Sequence, residues 1–174
     1  MRFAFYDRLP AASKRTYRKS DAIRRVELPD AAAMVPLARA IEAALEEAGR
    51  AAVERACQAF VDGVNARLAT PPIRVRVLER RPANSGGELQ GLYEPDEVTG
   101  GLARITVWMR TAQREQVVRF RTFLRTLIHE VCHHLDYELY GLDETFHTEG
   151  FYARESAMTR DVLGEPPAPP RAGA

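Results

Sequence analysis

Residues 127–136 read Leu-Ile-His-Glu-Val-Cys-His-His-Leu-Asp and contain the pattern His-Glu-x-x-His. The apolar residues around it recur at helical spacing, and helical residues four apart lie on one face. His129 and His133 can therefore present two imidazole nitrogens to one metal ion. Glu130 lies beside the first of them, where its carboxylate can reach a water molecule bound to that metal. The stretch predicts half of a zinc hydrolase site, which needs a third ligand and an open fourth position.

The alternative interpretation is a solvated helix face on which His and Glu occur by chance. All four histidines of the chain lie between positions 129 and 147, whereas surface histidines would be scattered, so we favour metal binding. His134 projects about 100° around the helix from His133, and we expect it to be structural or to support a ligand from behind. Asp136 lies on the ligand face, where it could orient a ligand imidazole.

The third ligand is expected from the chain after Gly141, which can fold back under the helix. The candidates are His147, Glu149 and Glu155. His147 is preferred, because a neutral imidazole binds zinc well and this residue lies at the junction of a loop and a helix. Glu155 is the alternative, since two His and one Glu also form a known zinc ligand set.

The composition is that of an ordinary globular domain. The 174 residues are 45% hydrophobic and 28% charged, which suffices for one domain with a sizeable core. The net charge of +1 gives no global field that favours nucleic acid or membrane. No apolar run approaches the ~20 residues that cross a bilayer, so we expect no membrane association. The N-terminus lacks an apolar signal core, and Cys57 and Cys132 fit reduced thiols, so we expect a cytoplasmic protein.

Apolar periodicity predicts two helices in the first half of the chain, at about 29–49 and 50–69. Asp30 is the expected N-cap of the first helix. Pro36 is tolerated in a first turn and awkward later, which moves the proper start of this helix toward Val35. Neither helix carries residues that suggest chemistry, so we interpret both as packing scaffold.

From residue 73 the apolar period changes to two, which predicts strands. The predicted strands begin at Ile73, at Glu88 and at Ala103, and the last of them ends at Arg110. Because their connections are short, we expect an antiparallel three-stranded meander. The strand at 103–110 directly precedes the metal-binding helix and, as a sheet edge, could bind an extended peptide by strand addition.

A long helix at about 112–140, capped by Thr111, is expected to carry the histidine pattern, and a last helix follows at about 148–163. The folded domain is therefore predicted at 29–163. The segment before it, 1–28, contains a basic run, and the segment after it, 164–174, is rich in proline and expected to be disordered. We interpret the basic run as a solvated face, although it could also bind phosphate backbones.

The segment Phe146-His147-Thr148-Glu149-Gly150-Phe151 is similar to the His-x-x-x-Phe element of SprT-like metallopeptidases. With the small sheet and the His-Glu-x-x-His helix, the chain resembles the zincin metallopeptidases over about 75–155. The resemblance implies a zincin-like α+β fold, Zn²⁺ as cofactor, His129, His133 and His147 as its ligands, and Glu130 as general base. SprT-like proteins of DNA–protein crosslink repair often carry a separate DNA-binding module. Only the basic run at 14–25 supports DNA as a partner here.

These features predict a zinc metallopeptidase that acts on a peptide or protein substrate. Zinc would lower the pKa of its water to about 7, and Glu130 would take the proton and return it to the leaving amine. Tyr93, Tyr137 and Tyr152 are the candidates for a second donor to the carbonyl oxygen. Two alternatives stay open: a non-catalytic, zinc-stabilised module that binds protein or DNA, and a hydrolase of a non-peptide amide.

Overall fold

The computed structural model describes residue 3 and residues 5–84, 87–113 and 115–166. Its helices are α1 (Ala11–Ala22), α2 (Val35–Glu46), α3 (Arg50–Leu68), the single-turn α4 (Asp96–Thr99), α5 (Phe120–Glu138) and α6 (Glu149–Leu163). Its strands are β1 (Arg74–Arg80), β2 (Ala83–Asn84), β3 (Gly87–Glu88), β4 (Gly91–Glu94) and β5 (Arg104–Arg110). The predicted α+β class is confirmed. Residues 167–174 of the expected proline-rich tail lie outside the described part of the chain.

The start of helix α2 is consistent with the position of Pro36. α2 starts at Val35 with Pro36 in its first turn, as predicted. The predicted N-cap was wrong, because Asp30 has a left-handed backbone (φ 47°) and its side chain makes no capping hydrogen bond. A short 3-10 turn, Ala31–Met34, leads from Asp30 into the helix instead.

The main sheet is mixed, so the predicted antiparallel meander is wrong. Its strand order is β1-β5-β4, with β1 parallel to β5 and β4 antiparallel to β5. A tight hairpin after β1 would have placed β4 beside it. Residues 81–90, which contain the small β2–β3 hairpin, instead span the roughly 10 Å needed to pass the end of the central strand. β4 therefore becomes an outer strand.

The central strand β5 is buried on both faces. Its side chains are buried continuously from Ile105 to Met109. It is paired with a strand on each side and contacts helix α5. Strand β1 keeps the expected alternation, with Val75 and Val77 buried and Arg74 and Arg76 exposed. Helix α3 packs on β1, and α5 packs on β4 and β5. The sheet thus fixes the position of the helix that carries the histidine pattern.

Helix α5 begins later than predicted. The predicted start at residue 112, with Thr111 as cap, is wrong, because the chain after β5 returns along that strand in extended form. The amide of Val118 donates to the carbonyl of Met109 at 2.8 Å, and Arg110 forms a bridge with Val117. Glu115 has a left-handed backbone (φ 52°), which interrupts any helix at this point. The helix then starts at Phe120.

A buried arginine ties three helices together. Arg154 on α6 is fully buried and forms an ion pair with Asp136 on α5. Its guanidinium also donates to the carbonyls of Ser20 and Ile23, at 3.0 and 3.1 Å, at the end of α1. The same group lies 4.8 Å from the ring centroid of Phe151. The guanidinium charge is therefore neutralised within the core, and α1 is joined to both site helices.

Other expectations from composition concern the thiols and the membrane. Cys57 and Cys132 are both free and fully buried, and burial raises the pKa of each thiol. Cys132 thus lies in the core, as expected for a small apolar side chain within the histidine pattern.

Within the described residues, no helix combines the length and the apolar character that crossing a bilayer requires.

Replacing Arg154 by Met should strongly destabilise the protein, because it leaves the Asp136 carboxylate buried without its partner. We expect the free energy of unfolding, measured by urea denaturation, to fall by about 3–5 kcal/mol. The control is Arg25→Met, which breaks a half-exposed ion pair with Asp161 and should cost less than about 1 kcal/mol. Equal losses in the two variants would contradict the central role of Arg154.

Candidate metal centre

Three histidines converge on one point. His129 and His133 lie one turn apart on α5, and His147 lies in the loop just before α6. Their Nε2 atoms form a nearly equilateral triangle with sides of 3.0, 3.1 and 3.2 Å. Among the described residues, these three form the group whose ligand atoms could share a single cation. The structure therefore brings together the three residues that the sequence suggested as ligands.

The outer nitrogens of two of these rings are already engaged. His129 Nδ1 lies 2.8 Å from Glu155 Oε2, a carboxylate that can only accept, so this nitrogen carries the proton. His133 Nδ1 lies 2.7 Å from Thr145 Oγ1, and that hydroxyl donates to Asp136 Oδ2 at 2.7 Å. The hydroxyl must therefore accept from His133 Nδ1. These assignments leave the Nε2 lone pairs of both rings directed inward.

Inward lone pairs at this distance repel each other unless a positive charge lies between them. Burial, reinforced by the other two imidazoles, lowers the pKa of His133 to about 3, and burial also lowers the pKa of His147. A proton on either of these two rings is thus a poor source of this charge at neutral pH. In a tetrahedral zinc site with Zn–N bonds of about 2.0–2.1 Å, ligand nitrogens lie about 3.3–3.4 Å apart. The observed triangle is close to that size, so the donor set fits zinc.

Glu155 lies behind the histidines rather than beside their Nε2 atoms. Its carboxylate is 2% exposed and binds His129 Nδ1 and the guanidinium of Arg125. Burial acts to raise the pKa of Glu155, but the hydrogen bonds from His129 and Arg125 outweigh it and lower this pKa. The geometry therefore favours His147 over Glu155 as the third ligand. An ionised Glu155 instead holds the His129 ring in the ligand tautomer.

Asp136 and His134 were expected to support the ligands, but within the described part of the chain only Asp136 is connected by hydrogen bonds to one of the three histidines. Asp136 reaches His133 through the hydroxyl of Thr145. The sequence does not indicate this contact, because Thr145 lies in a loop without periodicity. His134 points away from the three histidines. Its ring nitrogens lie 3.3 Å from Tyr93 Oη and 3.1 Å from the carbonyl of Pro71, so it joins α5 to the sheet side of the fold.

Glu130 lies between the histidines and strand β4. Its side chain is buried, and it accepts a hydrogen bond from the backbone amide of Tyr93. Burial raises the pKa of Glu130 to about 7, although neighbouring His129 acts to lower it. A Cβ added at Gly91 would overlap the carboxylate and come within 2.8 Å of Glu130 Cδ. The absence of a side chain at Gly91 is therefore what lets β4 approach the carboxylate.

An open cleft of about 660 Å³ adjoins His129 and Glu130. Gln90 and Gly91 line it on the strand side, and Tyr152 lines it on the side of α6. Of the three tyrosines suggested as oxyanion donors, Tyr152 lines this cleft, with its ring 5.9 Å from that of His147. The strand that reaches the cleft is β4. The predicted peptide-binding role of 103–110 was wrong, because β5 is paired on both sides.

Helix α1 holds the loop that carries His147. Lys19 donates to the carbonyl of Tyr140 at 2.7 Å, and the amide of Gly150 donates to Asp21 Oδ1 at 2.9 Å. A Cβ at Gly150 would lie 2.6 Å from the backbone carbon of Asp21, so the two helices meet at backbone distance. Two lysines, Lys14 and Lys19, from the basic run are used in contacts of this kind, which favours the structural interpretation of those two residues.

Comparisons with protein-family models, with curated proteins and with solved structures find no significant match for this chain. The resemblance to SprT-like metallopeptidases therefore rests on the quoted residues alone. Glu149, the remaining candidate for third ligand, begins α6 and is not part of the three-histidine group. What can be said about the site comes from its own geometry.

Replacing Thr145 by Val should weaken zinc binding by about 10- to 100-fold, because it removes the hydroxyl that fixes the His133 ring. Competition with a chromogenic chelator measures this affinity. Thr111→Val is the matched control, since its buried hydroxyl has no hydrogen-bond partner among the residues that the structure describes. A Thr145 variant that binds zinc as tightly as the control would show that the hydroxyl does not position the ligand.

Proposed function

We propose that this protein is a zinc-dependent metallopeptidase. The observation that carries the proposal is the convergence of three Nε2 atoms within 3.2 Å of one another, next to the buried carboxylate of Glu130 and at the edge of an open cleft. Three His ligands with a free fourth position are typical of catalytic zinc, whereas structural zinc sites are closed by four protein ligands. A His-Glu-x-x-His helix with this arrangement is typical of peptide hydrolysis.

Bound zinc would supply a Lewis acid and a water molecule of lowered pKa. Glu130 would take the proton from that water and later give it to the amine that leaves. The Tyr93 amide holds the Glu130 carboxylate in place, and burial keeps competing water away from it. Tyr152, at the cleft wall, is the residue best placed to donate to the carbonyl oxygen of the substrate.

The substrate would lie along the β4 side of the cleft. β4 is the outer strand of the sheet, and its first residue Gly91, with Gln90 just before it, lines the cleft beside Glu130. An extended peptide can bind there through main-chain hydrogen bonds, which need no particular side chains. This geometry favours a peptide over a compact non-peptide amide, because the cleft is open to solvent and borders a strand edge.

Glu130→Gln should abolish cleavage of an unfolded protein substrate while zinc stays bound, because the amide keeps the shape but cannot take a proton. Metal content by mass spectrometry and cleavage of casein measure the two properties. Glu138→Gln, at the exposed end of α5, should change neither. His147→Ala should lose both. Wild-type protein that binds zinc but cleaves nothing would favour the non-catalytic binding module.

Gly91→Ala should reduce cleavage by about 10²-fold, because the new Cβ displaces the Glu130 carboxylate or the edge of β4. Zinc affinity should stay close to wild type, since no ligand is touched. The control is Gly101→Ala, where an added Cβ meets nothing within 4 Å. If the Gly91 variant cleaves as fast as the Gly101 variant, the close approach of β4 to Glu130 does not matter for catalysis.

A further inference from the structure

The cleft extends beyond the histidines to two arginines. Arg125 and Arg121 lie one and two turns before His129 on the same face of α5, and both line the cleft. Their backbone positions are thus about 6 and 12 Å from His129 along the helix axis. The other charged residues of the cleft lining are Glu130 and Glu155. The wall away from the histidines therefore carries two guanidinium groups.

Arg125 keeps donors for a ligand. It contacts the Glu155 carboxylate through Nε, and its side chain is 57% exposed while that of Glu155 is 2% exposed. Glu155 is also bound by His129 Nδ1, so its charge is shared between two partners. Within the described residues, the two terminal nitrogens of Arg125 have no hydrogen-bond partner. They are thus available to a group that enters the cleft.

Arg121 already holds a carboxylate. Both of its terminal nitrogens donate to Glu165, one of them at 3.0 Å, in the paired geometry that guanidinium groups form with carboxylates. The side chains of the two residues are 61% and 35% exposed. An exposed pair of this kind contributes little to stability, so a competing carboxylate can replace Glu165.

We propose that Arg121 and Arg125 form a subsite for a substrate carboxylate, either an acidic side chain or the carboxyl terminus of the peptide. This inference rests on the proposed peptidase function and specifies the class of substrate. An extended peptide rises about 3.3 Å per residue, so the carboxylate would lie about two to four residues from the bond that is cut. In an extended peptide, side chains two residues apart point to the same side. Two such side chains of the substrate could therefore face Arg121 and Arg125 together.

The test measures binding separately from cleavage. The full chain carrying Glu130→Gln and loaded with zinc is titrated into fluorescein-labelled peptides, and anisotropy gives the dissociation constants. One peptide carries a single Asp and an amidated end, a second replaces the Asp with Asn, and a third has a free carboxyl end without Asp. We expect at least one of the carboxylate peptides to bind about tenfold tighter than the Asn peptide. Which of the two does so identifies the source of the carboxylate.

Three further variants separate this subsite from general attraction of charge. Arg121→Gln should remove most of the preference, and Glu165→Gln should increase affinity for the carboxylate peptide, because the internal competitor is gone. Arg119→Gln makes the same change of charge on an exposed residue outside the cleft and should leave the preference unchanged. Equal binding of all three peptides, or equal effects of Arg119→Gln and Arg121→Gln, would overturn the proposal.

The same peptides distinguish failure of this inference from failure of the peptidase proposal. Cleavage by the wild-type protein without a preference for carboxylate peptides would leave the peptidase standing and overturn the subsite. Tight, selective binding without cleavage by the wild type would support the subsite and count against the peptidase.

Discussion

The buried ion pair between Arg154 and Asp136 connects the core of this protein to its candidate site. Asp136 accepts from Thr145, which in turn accepts from His133, so the orientation of one imidazole depends on a charge inside the core. Arg154 also donates to backbone carbonyls at the end of α1. Because a buried charge is costly without its partner, any movement of α5 or α6 that separates this pair is opposed. The ion pair therefore helps to hold the His133 ring in place.

The charges around the histidines are arranged in a way that favours a divalent cation. Two buried acids lie behind the imidazoles, and each is paired with an arginine: Glu155 with Arg125, and Asp136 with Arg154. Within the described part of the chain, Glu130 is the remaining buried carboxylate beside the histidines, and it has no arginine partner. An ionised carboxylate in a buried place is costly, and the raised pKa of Glu130 reflects that cost. A divalent ion would offset both this charge and the repulsion between the nitrogen lone pairs.

Residue spacing along the sequence predicted those parts of the site that lie on a single helix. Four-residue spacing is sufficient to place His129 and His133 together, because helix geometry fixes it. His147 was preferred because a neutral imidazole binds zinc well and because it lies at the junction of a loop and a helix after Gly141. Thr145 and the role of α1 could not be found this way, since they depend on contacts between residues more than a hundred positions apart or in an aperiodic loop. The early start predicted for α5 failed for a related reason: pairing with β5 outweighs helical periodicity.

The error in sheet topology bears directly on function. In the expected meander, the second strand would lie in the middle of the sheet, with both edges used by its neighbours. Parallel pairing of β1 with β5 moves that strand, β4, to the outside, where Gly91 meets the Glu130 carboxylate and borders the cleft. The length of the connection at 81–90 is what permits this crossing. The open edge of β4 beside the Glu130 carboxylate thus depends on the length of the 81–90 connection. Within that connection, Gln90 is the residue that lines the cleft.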